Sequence, residues 1–106
     1  MAVKKTSVLN IKYSQHIEKD VFIMHPNEGF DLGLMTKHHA VSWSTKVSAK
    51  DFLAGQQGAS IPVNIDLRNE CPHSQLHMNI HTGEAINLID KAVLLFDGTR
   101  IYLHQV

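Results

Sequence analysis

Hydrophobic and polar residues alternate along much of the chain, in the pattern that is typical of half-buried β-strands. Leu9, Ile11 and Tyr13 alternate with polar residues and predict a first strand. Residues 21–24 are apolar on both faces, which predicts a central strand that is covered on two sides. The Pro-Asn-Glu-Gly run at residues 26–29 then predicts a turn.

The middle of the chain predicts one further strand and a short helix. Residues 34–43 are expected to be extended, with Trp43 in the core. Ser48 and Asp51 have the spacing of a capping box, although Asp reaches less far than Glu, and they predict a helix from residue 49 to about residue 56. A helix this short depends on packing rather than on propensity.

The most regular alternation lies in residues 61–81. Apolar residues alternate with polar ones on both sides of a break at residues 69–72. If the break is the loop of a hairpin, each apolar residue of one strand faces an apolar residue of the other, as Ile65 faces Leu76. A shift of one residue would destroy this match, so the pattern predicts a hairpin with a defined register.

A second hairpin is predicted at residues 92–104. Asp97-Gly98 separates two runs that are rich in β-branched and aromatic residues, which is the usual signal of a two-residue type I′ turn. This turn would place Leu94 opposite Ile101. Between the two hairpins, the spacing of apolar residues in 84–91 suits either a helix or a strand, and we favour one or two helical turns.

Together these elements predict an α+β fold. It consists of a mostly antiparallel sheet of about six or seven strands, two hairpins at residues 61–81 and 92–104, and one or two short helices. Because the proportion of strand is high for so short a chain, a small open β-barrel is the alternative. The length of 106 residues fits a single globular domain over residues 1–106.

Composition and charge exclude several classes of function. Ten basic and ten acidic residues cancel and no basic stripe is present, which argues against nucleic-acid binding. No stretch approaches the roughly 18 apolar residues of a membrane span, so we expect no membrane association. The single cysteine, Cys71, cannot form an internal disulfide and fits a reducing compartment, so we expect a cytoplasmic protein.

Histidines are the main candidates for metal chemistry. His73, His77 and His81 recur at four-residue intervals, but on a strand four residues span about 13 Å, so these rings cannot converge on one ion without help. Other strands would have to supply ligands. The candidate metal ligands are His38, His39, Asp66, His73, His77 and His81. Histidines with a carboxylate would suit a divalent transition metal such as zinc.

The polar positions of the predicted hairpin at residues 61–81 form its second face. If the apolar face packs on the core, these polar side chains point away from the core and form a histidine-rich surface. We interpret this surface as the binding face. Its members are Asn64, Asp66, Arg68, His73, Gln75, His77, Asn79 and His81.

No motif of a known catalytic class is present: the chain lacks a nucleophile elbow, a phosphate loop, a dinucleotide fingerprint and a His-Glu-x-x-His sequence. The sequence therefore favours a small soluble, non-enzymatic binding or protein-interaction module without a cofactor, of the accessory, phage or mobile-element type. Neutral net charge and free strand edges favour self-association into a homo-oligomer. The alternative is a histidine-based metal-binding protein or metal-dependent enzyme with a small β-barrel.

Overall fold

The computed structural model describes residues 3–56 and 58–106, which form eight strands and three short helices. In chain order the elements are β1 (Lys4–Lys5), β2 (Leu9–Ser14), β3 (Val21–Met24), α1 (Pro26–Asp31), β4 (His38–Thr45), α2 (Ala49–Leu53), β5 (Ala59–Leu67), β6 (Gln75–Asn79), α3 (Ile80–Glu84), β7 (Lys91–Phe96) and β8 (Arg100–Gln105). The strands predicted at the start of the chain and at residues 21–24 are present as β2 and β3.

Seven of these strands close into a barrel. They follow one another in the order β7, β2, β6, β3, β5, β4 and β8, and β8 pairs with β7 to complete the circle. Three pairs are parallel: β2 with β6, β3 with β5, and β4 with β8. The predicted mostly antiparallel sheet is confirmed only in part: five of the eight pairings among the described residues are antiparallel, but the sheet closes on itself and matches the barrel alternative, in a closed rather than an open form. Closure pairs strand edges that an open sheet would leave free.

Inward-facing residues of the strands fill the centre of the barrel. Trp43 is only 1% exposed and meets Phe22 edge-on, with ring centroids 5.1 Å apart. The other members of this core include Leu9, Ile11, Met24, Val63, Ile65, Leu76, Met78, Leu94 and Ile101. The predicted burial of Trp43 is confirmed, and the barrel interior is a packed core.

β3 separates the two strands that the sequence pattern pairs with each other. β5 pairs with β3 in parallel, and β6 pairs with β3 on the opposite side, antiparallel. Ile65 therefore lies opposite Phe22, and Leu76 lies opposite Met24. The predicted hairpin at residues 61–81 is wrong. The alternation correctly identifies the buried face of each strand. It does not identify the neighbouring strand, because any strand with apolar residues on its buried face can pair there equally well.

β7 and β8 form the second predicted hairpin, but their register differs from the predicted one by two residues. Leu94 lies opposite Leu103 rather than opposite Ile101. The reason is that the turn is centred on Gly98–Thr99 instead of Asp97–Gly98. Gly98 adopts a positive φ of +107°. The Asp97 side chain accepts hydrogen bonds from the backbone N–H groups of Thr99 and Arg100 and so stabilises this turn.

The first two helices show how caps decide local structure. The predicted turn at residues 26–29 belongs instead to α1, because Pro26 suits the first helical position and the His25 side chain caps the helix. α2 begins at the predicted cap, where the Ser48 hydroxyl accepts a hydrogen bond from the Asp51 N–H at 3.1 Å. It is shorter than predicted and ends at Leu53.

The third helix, α3, begins earlier than the helical turn predicted within residues 84–91. The Asn79 side chain at the end of β6 accepts a hydrogen bond from the His81 N–H at 2.8 Å and so starts the helix at Ile80. His81 therefore lies on a helix and not on a strand. Among the residues that the structure describes, no helix combines the length and the apolar character needed to cross a membrane.

The carboxyl ends of β3 and β5 lie side by side at one end of the barrel. The last paired residues of these two parallel strands are Met24 and Leu67. Beyond them, the chain continues from β3 into α1, and from β5 through residues 68–74 into β6. The two connections meet at this end of the barrel and carry the polar side chains described next.

Candidate metal centre

His25 lies where β3 ends and α1 begins. It is the N-cap residue of the helix, and its Nδ1 atom accepts a hydrogen bond from the Asn27 backbone N–H at 3.0 Å. Histidine is not among the side chains preferred for capping, which are Ser, Thr, Asp and Asn. Because the Nδ1 lone pair faces the helix, the neutral ring carries its proton on Nε2.

Glu28 lies in the first turn of α1, and the residue is only 5% exposed. Its Oε1 atom accepts a hydrogen bond from the Ser74 N–H at 3.2 Å. Its Oε2 atom is buried and has no hydrogen-bond partner among residues 3–56 and 58–106. An unsatisfied buried polar group costs about 1–3 kcal/mol, so this oxygen marks a position where a bound ligand would stabilise the protein.

His73 brings a second imidazole to the same place from the connection between β5 and β6. The rings of His25 and His73 lie with their centroids 3.9 Å apart and their planes inclined by 32°. One ligand atom from each of His25, Glu28 and His73 lies within 4.8 Å of the other two. Ligand atoms around a tetrahedral zinc ion are about 3.4 Å apart, so small side-chain rotations would close this set on one ion.

Asn27 holds the two imidazoles in their present arrangement. Its backbone N–H donates to Nδ1 of His25, and its side-chain Nδ2 atom lies 3.4 Å from Nδ1 of His73. An amide NH₂ group can only donate, so the Nδ1 lone pair of His73 also faces Asn27. An ion that binds through either Nδ1 atom must therefore replace a hydrogen bond from Asn27.

Two histidines and a carboxylate suit a divalent transition metal. This donor set binds zinc in catalytic sites and Fe(II) in the two-histidine, one-carboxylate facial arrangement. Three protein ligands leave at least one coordination position for water or for a second ligand. His73 is exposed and His25 is half-buried, so solvent reaches the cluster. The arrangement can hold an ion and present it to a small molecule.

Cys71 is buried beside this cluster. Burial raises the pKa of its thiol, the negative charges of Glu28 and Glu70 raise the pKa further, and the charge of Arg68 opposes them more weakly. Its Sγ atom lies 4.0 Å from the Ile23 carbonyl oxygen. A raised pKa keeps the sulfur protonated near neutral pH, so the environment does not activate Cys71 as a nucleophile.

His38, Asp66 and Arg68 form a second polar group at the same end of the barrel. Asp66 accepts a hydrogen bond from His38 Nδ1 through one oxygen, and from Arg68 Nε and Nη2 through the other at 3.2 and 2.7 Å. Burial alone would raise the pKa of Asp66, but the hydrogen bonds and charges of Arg68 and His38 hold it below its ordinary value of 3.8. His38 therefore carries its proton on Nδ1, and Nε2 keeps its lone pair.

Four residues of the predicted binding face point outward from strands, but β3 stands between them. They are Asn64 and Asp66 on β5 and Gln75 and His77 on β6. The register places Ile23 of β3 opposite both Asp66 and His77. His77 Nε2 lies 2.8 Å from Gln75 Oε1, and burial together with the charge of Lys12 lowers the pKa of His77.

The remaining predicted residues contact other partners. Asn79 is buried and caps α3. His81 has its Nδ1 atom 3.5 Å from Glu84 Oε1, within the same helix. His39 has its Nε2 atom 3.0 Å from the Thr36 hydroxyl oxygen. Neither histidine belongs to the group of converging metal ligands among the described residues.

Of the six predicted metal ligands, only His73 belongs to the three-residue cluster. Sequence analysis missed His25 and Glu28. A usable signal was present, because the two residues lie three positions apart at the start of a segment with Pro at its first helical position. Residues three apart lie on one side of a helix, so reading residues 26–29 as a turn hid their proximity.

Comparison with known proteins gives no relative: no protein-family model, no curated protein and no solved structure matches the chain. Function therefore has to be inferred from the side chains that the fold brings together. Among the described residues, His25, Glu28 and His73 are the group whose donor atoms converge as metal ligands do.

Proposed function

We propose that the protein binds a divalent transition metal, such as zinc or Fe(II), through His25, Glu28 and His73. The observation that supports this proposal is the Glu28 carboxylate: its buried Oε2 atom has no partner among the described residues, and one of its oxygens lies within 4.8 Å of a ring nitrogen of each imidazole. A bound ion would be that partner and would remove the cost of burying the oxygen. The Ser74 N–H, which binds Oε1, would orient the carboxylate as outer-shell partners do in metal sites.

An open site with three ligands favours a role for the ion beyond support of the fold. Structural zinc sites use four protein ligands, whereas catalytic sites use three and keep a position open. The barrel has its own continuous apolar core, which includes Trp43 and Phe22 and is built without any of the three proposed ligands. We therefore expect the ion to bind or activate a small molecule, in line with the metal-dependent alternative that the sequence offers.

Metal binding is tested with untagged protein that has been stripped by a chelator. Calorimetric titration with Zn²⁺ and visible spectra with Co²⁺ should show one ion per chain. His25→Ser removes the imidazole but keeps a preferred capping hydroxyl, and His73→Ala removes an exposed ring from a loop. Each variant should bind zinc at least tenfold more weakly than the wild type.

His104→Ala is the matched control, because His104 is an exposed histidine on β8. It should bind zinc with wild-type affinity. If the wild type binds no metal, or if His25→Ser and His73→Ala bind as well as His104→Ala, the proposal is wrong.

A protein partner is the second candidate, and one observation favours it. Phe30 and Met35 are 60% and 77% exposed, and both line a small cleft of about 100 Å³. The expectation of self-association relied partly on free strand edges. Closure of the barrel pairs such edges within the chain and so removes part of that support. Light scattering at high protein concentration tests this candidate, since a monomer at every concentration would argue against self-association.

A further inference from the structure

A cleft at the carboxyl end of β5 has the features of a ligand site of its own. Its volume is about 260 Å³, and its lining includes Lys37, His38, Asp66, Arg68 and Glu70, so we call it the Lys37 cleft. None of the three proposed metal ligands lines it. Pockets for drug-sized ligands begin at about 300 Å³, so this cleft suits a smaller molecule.

Backbone hydrogen bonds fix the walls of the Lys37 cleft. The Leu67 N–H donates to the Lys37 carbonyl oxygen at 2.8 Å, which continues the pairing of β5 with β4. The Arg68 N–H donates to the Met24 carbonyl oxygen at 3.0 Å, and the Arg68 carbonyl oxygen accepts from the Cys71 N–H at 3.1 Å. Lys37 and Arg68 therefore extend from fixed backbone positions on neighbouring segments of the chain.

The Arg68 guanidinium is anchored along one edge and free along another. Its Nε and Nη2 atoms donate to Oδ2 of Asp66 at 3.2 and 2.7 Å, while Oδ1 of Asp66 accepts from Nδ1 of His38. The Asp66 side chain is only 12% exposed, which makes it a firm anchor. Nη1 donates to no residue among 3–56 and 58–106, so its two N–H groups and the second N–H of Nη2 remain for a ligand.

The free edge of Arg68 is suited to an anion that offers two oxygens. Nη1 and Nη2 each present an N–H on this edge, and a carboxylate can accept both in two parallel hydrogen bonds. The Arg68 side chain is 47% exposed, which leaves this edge accessible. Because Asp66 already holds the guanidinium, a ligand that binds there immobilises less side-chain motion and loses less affinity to that cost.

Charge indicates on which side of Arg68 an anion binds. Arg68 and Asp66 also line another cleft, of about 280 Å³, which carries the negative charge of Glu18 and has no lysine among the described residues that line it. In the Lys37 cleft, the positive charge of Lys37 offsets that of Glu70. An anion is therefore repelled less in the Lys37 cleft. A singly charged carboxylate suits this balanced lining better than a doubly charged phosphate.

We propose that the Lys37 cleft is a ligand site separate from the metal centre, and that it binds small molecules through a carboxylate group. The carboxylate accepts two hydrogen bonds from the free edge of Arg68, and Lys37 adds positive charge beside it. Asp66 holds the guanidinium by its other edge.

The experiment uses protein that has been stripped of metal and then dialysed free of the chelator, so it does not depend on the metal proposal. Acetate, inorganic phosphate and uncharged acetamide are titrated separately at constant ionic strength. Binding is followed by the NMR signals of the backbone amides and of the Arg68 Nε–H. Acetate should shift the signals of Arg68 and of the other residues that line the Lys37 cleft. Phosphate should bind more weakly than acetate, and acetamide should cause no shift.

Four variants and a control test the residues of the cleft. Arg68→Gln should weaken acetate binding at least tenfold, and Lys37→Gln should weaken it about two- to threefold, as expected for loss of an exposed charge. Glu70→Gln should strengthen it by a similar factor, whereas Glu18→Gln, in the other cleft, should leave it unchanged. Lys91→Gln removes an exposed cation on β7 and should bind acetate as the wild type does. Lys37 and Glu70 are exposed, so their variants test the proposal even if Arg68→Gln does not fold.

The outcomes that would overturn this inference leave the metal proposal untouched. The inference is wrong if acetate causes no saturable shift at Arg68, or if phosphate or acetamide binds as tightly as acetate. It is also wrong if Arg68→Gln or Lys37→Gln binds acetate as well as Lys91→Gln does. If Glu18→Gln strengthens binding more than Glu70→Gln does, the carboxylate lies in the other cleft, and the assignment to the Lys37 cleft is overturned.

Discussion

Replacing Glu28 by glutamine should change stability in opposite directions without and with metal. In the metal-free protein, Oε2 is buried and has no partner among the described residues. Glu28→Gln keeps the carbonyl oxygen that accepts from the Ser74 N–H, and it puts an NH₂ group in place of Oε2. Because a neutral amide costs less to bury than an unpaired carboxylate oxygen, we expect the metal-free variant to be about 1 kcal/mol more stable than the metal-free wild type.

With metal present, the order should reverse. A ligand that binds only the folded state adds about 2.7 kcal/mol when its concentration is a hundred times Kd. Glu28→Gln lacks the charged ligand, and if its affinity falls about a hundredfold, the same concentration adds only about 0.4 kcal/mol. The wild type should then be the more stable protein by about 1 kcal/mol.

Thermal unfolding followed by circular dichroism, with chelator or with Zn²⁺, measures both effects. With about 2.1 cal/mol/K of unfolding entropy per residue, 1 kcal/mol shifts the Tm of a 106-residue chain by about 4–5 °C. The metal-free variant should melt about 4 °C above the metal-free wild type, and Zn²⁺ should raise the wild-type Tm by about 12 °C. A metal-free variant that melts below the wild type would refute the view that Oε2 lacks a partner. Equal zinc-induced shifts in the two proteins would refute the role of Glu28 as a ligand.

Three further predictions address the surroundings of the site and the barrel. Asn27→Ala removes the amide that faces His73. Because such a hydrogen bond is worth about 0.5–1.5 kcal/mol, calorimetry should show that the variant binds zinc about 2- to 12-fold more tightly than the wild type. Weaker binding would contradict the view that Asn27 competes with the ion for His73. Gly83→Ala would place a methyl group 2.6 Å from Cδ1 of Tyr13, whose hydroxyl donates to the Ile89 carbonyl oxygen at 2.7 Å, so urea unfolding should show a loss of about 1–3 kcal/mol. An unchanged urea midpoint would mean that the Tyr13 ring moves aside freely. Burial lowers the pKa of His77 below 6.5, so the unfolded chain binds a proton more readily and stability should fall as the pH decreases below 6.5. His77→Gln should flatten the dependence of stability on pH between pH 7.5 and 5.5. Identical stability profiles for the variant and the wild type would contradict the assignment of this dependence to His77.

Parts of the fold with a local cause could be predicted from the sequence. The Ser48 hydroxyl caps α2 because it reaches an N–H three residues away, and that distance is visible in the sequence. The apolar run at residues 21–24 marks a central strand because both of its sides are covered. Asp97-Gly98 marks the last hairpin, although the exact centre of the turn depends on hydrogen bonds to the Asp97 side chain, which the dipeptide alone does not specify.

The choice of partner strands could not be predicted, because it depends on long-range packing. The alternation in residues 61–81 is satisfied by pairing with β3 as well as by direct pairing. Pro62 illustrates this dependence on long-range packing. Its missing N–H suggests an edge strand, yet β5 has a neighbouring strand on each side, β3 and β4. β3 pairs only with the stretch that begins at Asn64, so the chain beside Pro62 is a local edge within a closed barrel.

The candidate metal centre could be predicted only in part, for the same reason. His73 was a visible candidate, but its proximity to His25 and Glu28 depends on the antiparallel contact between β3 and β6. The predicted pairing of β5 with β6 would have kept these residues apart. His38 and Asp66 were both proposed as ligands, and they do meet, but as a hydrogen-bonded pair that positions Arg68.

Closure of the barrel through strands that are distant in the chain has a consequence for how the protein folds. Leu9 lies opposite Ala92, and Trp43 lies opposite Ile101, so the circle cannot close until the last hairpin is available. Such long-range pairing is slow, because the entropy of closing long loops is lost before the contacts form. During synthesis, β2 leaves the ribosome long before β7 has been made, so the apolar side chains of β2 stay exposed until their partner strands are available. The yield of folded protein in cells should therefore depend on synthesis rate and temperature more steeply than the stability of the finished barrel would suggest.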